Sequence, residues 1–301
     1  MQAEKKRSNW TSCWGLKLPN LKPIPGDLSH DEIAEALLSE AGALNVLPTS
    51  ESNLLDYLKL KQMSFDFGGE PDFIQVAPDI SGKLRAALSV NHRVVATHSK
   101  LGAKRSRWGV FHEIGHFVLP EHIEKLFLDD DKTLSVWTHS RLEREANSLA
   151  AELVFQGDRF TEESLDYSLS CRTPLDLAPK YDASFESAVR RYVERHPLQC
   201  AAIVYEKCPT LAEEDPQDER YRIHYTVTSE AFRRQYFSGV ESDSEFSSGS
   251  DIFQVHGVSQ IGNIVRTELH VEKHRGSQWV FDSELFTNGY KVFQFVIGPE
   301  K

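Results

Sequence analysis

The sequence predicts an α+β protein in which helices and a small antiparallel sheet come first, a tight helix pair follows, and a mostly β region ends the chain. Apolar residues recur at helical spacing in much of the first half, with short strand-like runs among them. After residue 198 the runs become longer and richer in β-branched and aromatic residues. We therefore predict an irregular leader (1–25), a helical domain that includes the sheet (26–160), a helix-turn-helix-like segment (161–197) and a β-rich domain (198–301).

Composition and charge narrow the class of protein. The chain has 301 residues, 40% of them hydrophobic, which is enough to bury a core in one large domain or two ordinary ones. Its formal net charge of −11 supplies no broad positive field, so direct nucleic-acid binding is disfavoured. No run is apolar enough for a signal peptide or a membrane span, which predicts a cytoplasmic protein without a membrane segment. The four cysteines form no CxxC pair and are expected to be reduced.

The first predicted elements are short. Helical spacing behind a Ser29 N-cap predicts a helix over residues 29–44, and the run ESNLLDYLKL predicts a second short helix. Three strand-like runs, QMSFDF, LRAALSV and RVVATH, should form the small antiparallel sheet. Asn91 and His92 separate the last two runs and predict a tight hairpin.

Two longer helices follow. One is predicted over residues 102–119, where Pro120 ends it, and the other over 140–155. The basic residues near the start of the first helix are expected to be solvated. Further on, LDLAPKY and FESAVRRYVERH, joined by the turn DAS, predict two tightly connected helices. The apolar stripe of the first helix consists of Trp108, Phe111, Ile114 and Val118, and that of the second consists of Leu142, Ala146, Leu149, Ala150 and Leu153. The basic residues are Lys100, Lys104, Arg105 and Arg107.

Five strand-like runs fill the last third of the chain: CAAIVYEK, YRIHYTVT, NIVRTELHVEK, QWVFDSELF and YKVFQFVI. The sequence TNGY at 287–290 predicts a hairpin, because Asn-Gly accepts the positive φ angles of a type I′ turn. The serine-rich, acidic run at 238–251 predicts a mobile loop.

The stretch RWGVFHEIGHFVLPEH, residues 107–122, contains an HExxH pattern. Residues four apart share one face of a helix, so His112 and His116 can direct ring nitrogens at the same ion. Glu113 would project beside them, where a carboxylate can accept a proton from water. The pattern alone is also compatible with an ordinary helix that contains two histidines.

A catalytic site of this type needs a third protein ligand and an open position for water. The next helix supplies candidate carboxylates, and its small residues allow it to approach another helix closely. Glu143 shares a face with Asn147 and is the preferred ligand on geometry. Glu145 should lie roughly opposite that face, and both Glu145 and Glu152 are expected to be solvated.

These paired segments, RWGVFHEIGHFVL and LEREANSLAAELVF, together with the preceding run HRVVATHSKLGAKR, resemble the ImmA/IrrE family of metallopeptidases over roughly residues 30–195. The resemblance implies a zincin-like fold with His112, His116 and Glu143 as metal ligands and Glu113 as the catalytic general base. The family helix usually ends in a Leu-Met-Pro type sequence, whereas this one ends LVFQGD, which leaves the position of the helix end open.

The resemblance also implies a function. Members of the family are cytoplasmic and zinc-dependent, and they cut a specific regulatory protein, commonly a helix-turn-helix repressor, in stress or mobile-element responses. For this chain the expected ion is Zn²⁺, with Mn²⁺ as the alternative. In the radiation-response branch, a helix-turn-helix-like segment and a GAF-like sensory domain follow the peptidase. The order of predicted domains in this chain is the same.

Two alternatives to a peptidase remain from the sequence alone. In one, the metal is structural and the β domain of a regulatory protein senses a ligand. In the other, which the acidic charge disfavours, the helix pair binds DNA. Side chains considered for stabilising an oxyanion, each expected to lie at the surface, are His92, His98, His122, His139, Tyr167 and Tyr181. The run LDDD at 128–131 is expected to be a solvated loop.

Overall fold

The computed structural model describes residues 28–69, 84–119, 122, 136–208, 220–236, 245–246, 263–272 and 278–299. The leader, Pro120 and the LDDD run lie outside these ranges. The chain divides into two compact units between Asp158 and Arg159. Helices and two sheets confirm the α+β prediction. No helix within the described ranges has both the length and the apolar character needed to cross a bilayer.

The first unit holds four helices and three strands in its described part. They are α1 (His30–Glu40), α2 (Glu51–Leu58), β1 (Lys61–Phe65), β2 (Ala86–Ser89), β3 (Val94–His98), α3 (Ala103–Val118) and α4 (Val136–Phe155). The second unit holds the remaining elements: α5 (Arg159–Ser164), α6 (Arg172–Leu177), α7 (Phe185–Arg195), β4 (Cys200–Lys207), β5 (Tyr221–Thr228), α8 (Glu230–Gln235), β6 (Glu245–Phe246), β7 (Val265–Glu272), β8 (Gln278–Thr287) and β9 (Lys291–Ile297).

Helix α1 begins where the sequence predicted but ends four residues early. Ser29 caps it, and the Ser29 and Glu32 side chains form a reciprocal capping box. Gly42 has a φ of 63°, which a glycine adopts without strain and which reverses the chain. The N–H of Ala43 then donates to the carbonyl of Leu38 at 2.8 Å, in the pattern of a Schellman motif. This glycine cap stops the helix although apolar spacing continues to Leu44.

The small sheet has the order β1-β3-β2. Strands β2 and β3 pair antiparallel, with Ala86 opposite Thr97, and their hairpin turn contains Arg93 in the left-handed region. Strand β1, however, pairs parallel with β3. The prediction of an all-antiparallel sheet was wrong for this strand, because hydrophobic spacing identifies a strand without giving its direction. Strand β2 lies between β1 and β3 in the sequence and runs antiparallel to both, so the chain reverses direction twice and β3 runs in the same direction as β1.

Helices α3 and α4 pack closely along their apolar stripes. All five predicted stripe residues of α4 are buried, and so are those of α3 except Trp108, which is half-buried. At the contact, a Cβ built on Gly115 would lie 3.0 Å from the carbonyl oxygen and 3.1 Å from the Cα of Ala146. Gly115 therefore lets the two backbones approach to a distance that a side chain would prevent.

Two charged residues expected at the surface are buried. Arg107 is 7% exposed. Its guanidinium donates hydrogen bonds to the Glu51 carboxylate at 2.7 Å and to the Thr49 carbonyl at 2.8 Å. Glu152, on α4, is 1% exposed. Lys104 and Arg105, in contrast, are exposed as predicted. The Arg107 contacts join the start of α3 to the start of α2, which local sequence spacing does not reveal.

The end of α4 is fixed by Gln156. The helix stops at Phe155, and Gln156 and Gly157 both have positive φ angles of 55° and 59°. The Gln156 amide donates to the carbonyls of Ala43 and Val46 and accepts from the N–H of Asn45 at 2.9 Å. The LVFQGD sequence thus ends α4 with hydrogen bonds to the loop between α1 and α2.

The second unit is built on one six-stranded antiparallel sheet of order β6-β5-β4-β9-β8-β7. The five predicted strands are all present, and the short helices α5 and α8 were not predicted. Within the run 238–251, residues 245–246 form strand β6, and the rest lies outside the described ranges. The predicted helix pair corresponds to α6 and α7, which belong to this unit. The predicted boundaries at 160 and 197 and the GAF-like assignment stay predictions.

Strand β4 lies at the centre of this sheet, and six consecutive residues of it are buried. On one side, Phe185 of α7 packs against Phe286 and Phe293, with ring centroids 4.3 and 4.9 Å apart. A second cluster of apolar residues includes Ile203 and Tyr221. Burial on both faces explains why this strand has a continuous apolar sequence instead of an alternating one.

The hairpin predicted at TNGY joins β8 and β9. Gly289 has a φ of 84°, but Asn288 is not among the residues with positive φ. The Asn288 side chain instead accepts from the N–H groups of Tyr290 and Lys291 at 3.0 and 2.9 Å. The hairpin prediction is confirmed. The prediction of a type I′ turn was wrong, because that turn needs positive φ angles at both central residues.

Substitution of Gly115 by leucine tests the close helix contact. Leucine has a higher helix propensity than glycine, so propensity alone would increase the free energy of unfolding. Because the new side chain must displace the Ala146 backbone, we expect the free energy of unfolding to fall instead, by about 1–3 kcal/mol. Urea denaturation measures the change. Gly102→Ser is the control, since a Cβ at Gly102 meets nothing within 4 Å, and equal stability of both variants would contradict the packing argument.

Candidate metal centre

Helix α3 carries both histidines of the HExxH pattern toward α4. Their side chains are largely shielded, with 16% of His112 and 6% of His116 exposed. The ring centroids lie 4.7 Å apart, and the two Nε2 atoms are separated by 3.1 Å. The four-residue spacing therefore aims the same nitrogen of each ring at one point, as the sequence predicted.

Glu143 on α4 completes the cluster. Its Oε2 lies 3.2 Å from Nε2 of His112, and its Oε1 lies 3.4 Å from Nε2 of His116. Glu143 is three residues before Ala146, so it extends from the same part of α4 that touches Gly115. The close helix contact is what brings this carboxylate within reach of the histidines.

The spacing of these three side chains fits a tetrahedral ion. Ligand bonds of 2.0–2.1 Å, which are usual for zinc with nitrogen or oxygen, place tetrahedral donors about 3.3 Å apart. The two Nε2 atoms are 3.1 Å apart, and each lies 3.2 or 3.4 Å from the Glu143 oxygen that faces it. Two imidazoles and one carboxylate are also a donor set that suits zinc. Among the described residues, this cluster contributes three protein donors, which leaves a tetrahedral ion one position for water or substrate.

Electrostatics distinguish the two carboxylates near the cluster. Hydrogen bonds with His112 and His116 hold the pKa of Glu143 far below its ordinary value, so it stays ionised. Glu113 is 8% exposed, and its burial raises its pKa, although the positive charges that the two histidines can carry oppose the rise. Glu113 is not part of the donor cluster. A carboxylate of raised pKa beside a metal site is a suitable proton acceptor near neutral pH.

The outer nitrogens of both histidines have partners. Nδ1 of His112 lies 3.1 Å from Oδ1 of Asn147, which is exposed. Nδ1 of His116 lies 2.9 Å from Nδ1 of His122, whose Nε2 lies 3.0 Å from Oε2 of Glu145. Burial lowers the pKa of His122 despite the Glu145 contact. Such contacts orient metal-binding imidazoles.

These contacts correct two expectations. His122, expected at the surface, is 1% exposed. Glu145, expected to be solvated on the far side of α4, is half-buried against His122. Two features of the sequence could have indicated this contact. A third histidine follows the HExxH pattern by six residues, and Arg141 precedes Glu145 by four residues, which is the spacing of an ion pair on a helix.

The other candidates do not join the cluster. His92 is exposed and bonds to Ser89, while His98 is half-buried near Asp66. Tyr167 and Tyr181 belong to the second unit, where Tyr181 is fully buried and donates to Glu163 at 2.9 Å. Tyr181 is therefore not the surface residue that was expected. The side chain of His139 lies outside what the structure describes.

Comparisons with known proteins agree with the motif. Residues 74–192 match the family model Peptidase_M78, described as the IrrE N-terminal-like domain, which confirms the resemblance predicted from the two helices. A Mycobacterium tuberculosis transcriptional regulator has a similar structure, with a TM-score of 0.52 and 12% sequence identity over 89% of this chain and 86% of that chain. At this identity the likeness concerns the fold. No curated protein sequence matches the chain.

Metal affinity should depend on pH in a defined direction. Burial lowers the pKa of His112, but the hydrogen bond and charge of Glu143, with the charge of Glu113, outweigh it and raise that pKa above 6.5. Because a metal binds only the neutral ring, affinity should fall as the pH drops through this raised pKa, by up to about tenfold per pH unit for each proton displaced. Glu143 stays ionised throughout. Chelator competition measures the affinity, and a constant value between about pH 8 and 6 would contradict this assignment.

Proposed function

We propose that the chain is a metal-dependent endopeptidase that cuts a regulatory protein at a specific site. The observation that carries the proposal is the convergence of His112, His116 and Glu143, with the buried carboxyl of Glu113 beside them. The match of residues 74–192 to a peptidase family supports the same reaction class.

In this proposal, His112, His116 and Glu143 hold Zn²⁺, with Mn²⁺ as the alternative ion. A bound divalent ion would polarise the scissile carbonyl and lower the pKa of a water molecule. The ionised carboxylate of Glu143 would offset one of the two charges of the ion, and the two neutral imidazoles would donate lone pairs to it. Zinc is preferred over manganese because two of the three donors are imidazole nitrogens.

Glu113 is the proposed general base. Its position next to His112, on the same helix, places it at the edge of the donor cluster without occupying it. The carboxylate would accept the proton of the attacking water and then deliver it to the leaving amine. Burial supports this role, because it raises the proton affinity of the carboxylate above that of a solvated glutamate.

The proposed substrate is a protein, most specifically a helix-turn-helix transcriptional repressor cleaved in the cytoplasm during a stress or mobile-element response. This part of the proposal follows from the family resemblance. The net charge of −11 agrees with a protein substrate and disfavours nucleic acid as a partner. We further propose that the peptidase domain spans 26–160, that the helix pair occupies 161–197, and that the β-rich region from 198 to 301 is sensory.

Glu113→Gln separates catalysis from metal binding. The variant keeps every proposed ligand, so it should retain zinc, whereas loss of the proton acceptor should slow cleavage by about 10²-fold or more. The assay mixes the zinc-loaded protein with the helix-turn-helix protein encoded beside its gene and follows the appearance of one cut by mass spectrometry. His112→Ala is the matched comparison and should lose both zinc and cleavage.

Two outcomes would contradict the proposed reaction. Undiminished cleavage by Glu113→Gln would show that this carboxylate is not the base. Normal regulation by Glu113→Gln, together with unfolding of His112→Ala, would favour a non-catalytic regulator in which the metal is structural.

A further inference from the structure

The outer side of His116 faces a row of polar side chains that is buried at His122 and partly exposed at Glu145 and Arg141. Its Nδ1 faces Nδ1 of His122 at 2.9 Å, Nε2 of His122 faces Oε2 of Glu145 at 3.0 Å, and Oε1 of Glu145 accepts from Arg141 at 2.8 Å. His116 and His122 are 5% and 1% exposed, so solvent has little access to the contact between them. The row thus ends in a carboxylate whose two oxygens have different partners.

The order of donors and acceptors along this row has one consistent solution for neutral rings. An ionised carboxylate only accepts hydrogen bonds, so Glu145 requires the proton of His122 on Nε2. Nδ1 of His122 then has a free lone pair and accepts from Nδ1 of His116. His116 must therefore carry a proton on Nδ1, so Nε2, which faces Oε1 of Glu143 at 3.4 Å, is the nitrogen left to bind an ion once that ion replaces the hydrogen bond to Glu143.

We infer that His122 and Glu145 are positioning residues that fix the tautomer and ring orientation of His116 in the form that binds metal. The inference rests on the proposed metal site and deepens it, because it names the residues that keep Nδ1 of His116 protonated and so leave Nε2 as the nitrogen for the ion. Arg141 takes part indirectly, since it occupies the oxygen of Glu145 that His122 does not use.

The partner of the other histidine ligand is different. His112 contacts the side-chain oxygen of Asn147, which is exposed, so water can replace this contact. His122 is buried, and no water could replace it without opening the site. The two ligands should therefore respond unequally to loss of their outer partners, with His116 the more dependent of the two.

Glu145→Gln gives a sharp test because the amide has one acceptor and one donor end. Arg141 should hold the amide oxygen, which turns the NH₂ group toward Nε2 of His122. The proton of His122 then moves to Nδ1, and His116 is driven to carry its proton on Nε2, where the metal would bind. Zinc affinity should fall by about 10–100-fold, and the ¹⁵N shifts of the metal-free protein should show that His116 has lost its Nδ1 proton.

A second substitution distinguishes this effect from general damage. In Glu145→Gln combined with Arg141→Met, the amide is free to turn its oxygen toward His122, so most of the lost zinc affinity and the Nδ1-protonated form of His116 should return. Arg141→Met alone should bind zinc nearly as tightly as the unmodified chain. Glu194→Gln is the matched control, because Glu194 also pairs with an arginine four residues earlier but belongs to the second unit.

The experiment uses the full chain and zinc alone, with chelator competition and ¹⁵N NMR as readouts. Zinc binding by Glu145→Gln equal to that of the Glu194→Gln control overturns the inference, as does a loss that the Arg141→Met substitution does not relieve. Absence of zinc binding by the unmodified chain overturns both the inference and the proposed function. Tight zinc binding without cleavage would instead overturn the proposed function and leave the positioning role supported.

Discussion

The contact between Gly115 and the backbone of Ala146 is the constraint on which the candidate site depends. The histidines and Glu143 lie on different helices, and the separations of 3.1–3.4 Å among their donor atoms require those helices to be close. Helices pack at 8–10 Å depending on the side chains between them, so the smallest residue allows the shortest approach. Glycine and alanine at this contact thus allow the two helices to bring Glu143 close to the histidines, although neither residue is part of the cluster.

Once the helices are close, the two carboxylates acquire opposite properties from their surroundings. Glu143 faces two imidazoles that stabilise its charge, and Glu113 lies in a buried position that favours its protonated form. Similar side chains on neighbouring helices are thereby suited to different tasks, one to bind a cation and the other to exchange a proton. The division follows from burial and partners, and the residue types alone do not specify it.

Periodic patterns in the sequence predicted much of this arrangement. Apolar spacing placed α3 and α4, and the four-residue interval between His112 and His116 gave the ligand geometry. What could not be predicted depends on contacts between distant residues. Arg107 is buried because Glu51 pairs with it from another helix. Strand β1 is parallel to β3 because β2 lies on the other side of β3, a sheet order that the residues of β1 do not encode. The contact of His122 with Glu145 likewise exists only after the two segments are brought together.

The Gln156 side chain, which ties the end of α4 to the loop after α1, has a mechanical consequence. A helix behaves as a stiff rod, and Gln156 lies thirteen positions beyond Glu143, about 20 Å along the axis at 1.5 Å per residue. Its bonds to Ala43, Val46 and Asn45 hold one end of that rod against twisting. Because any rotation of α4 would move Glu143 sideways, the orientation of a proposed metal ligand is determined in part by an amide three and a half turns away.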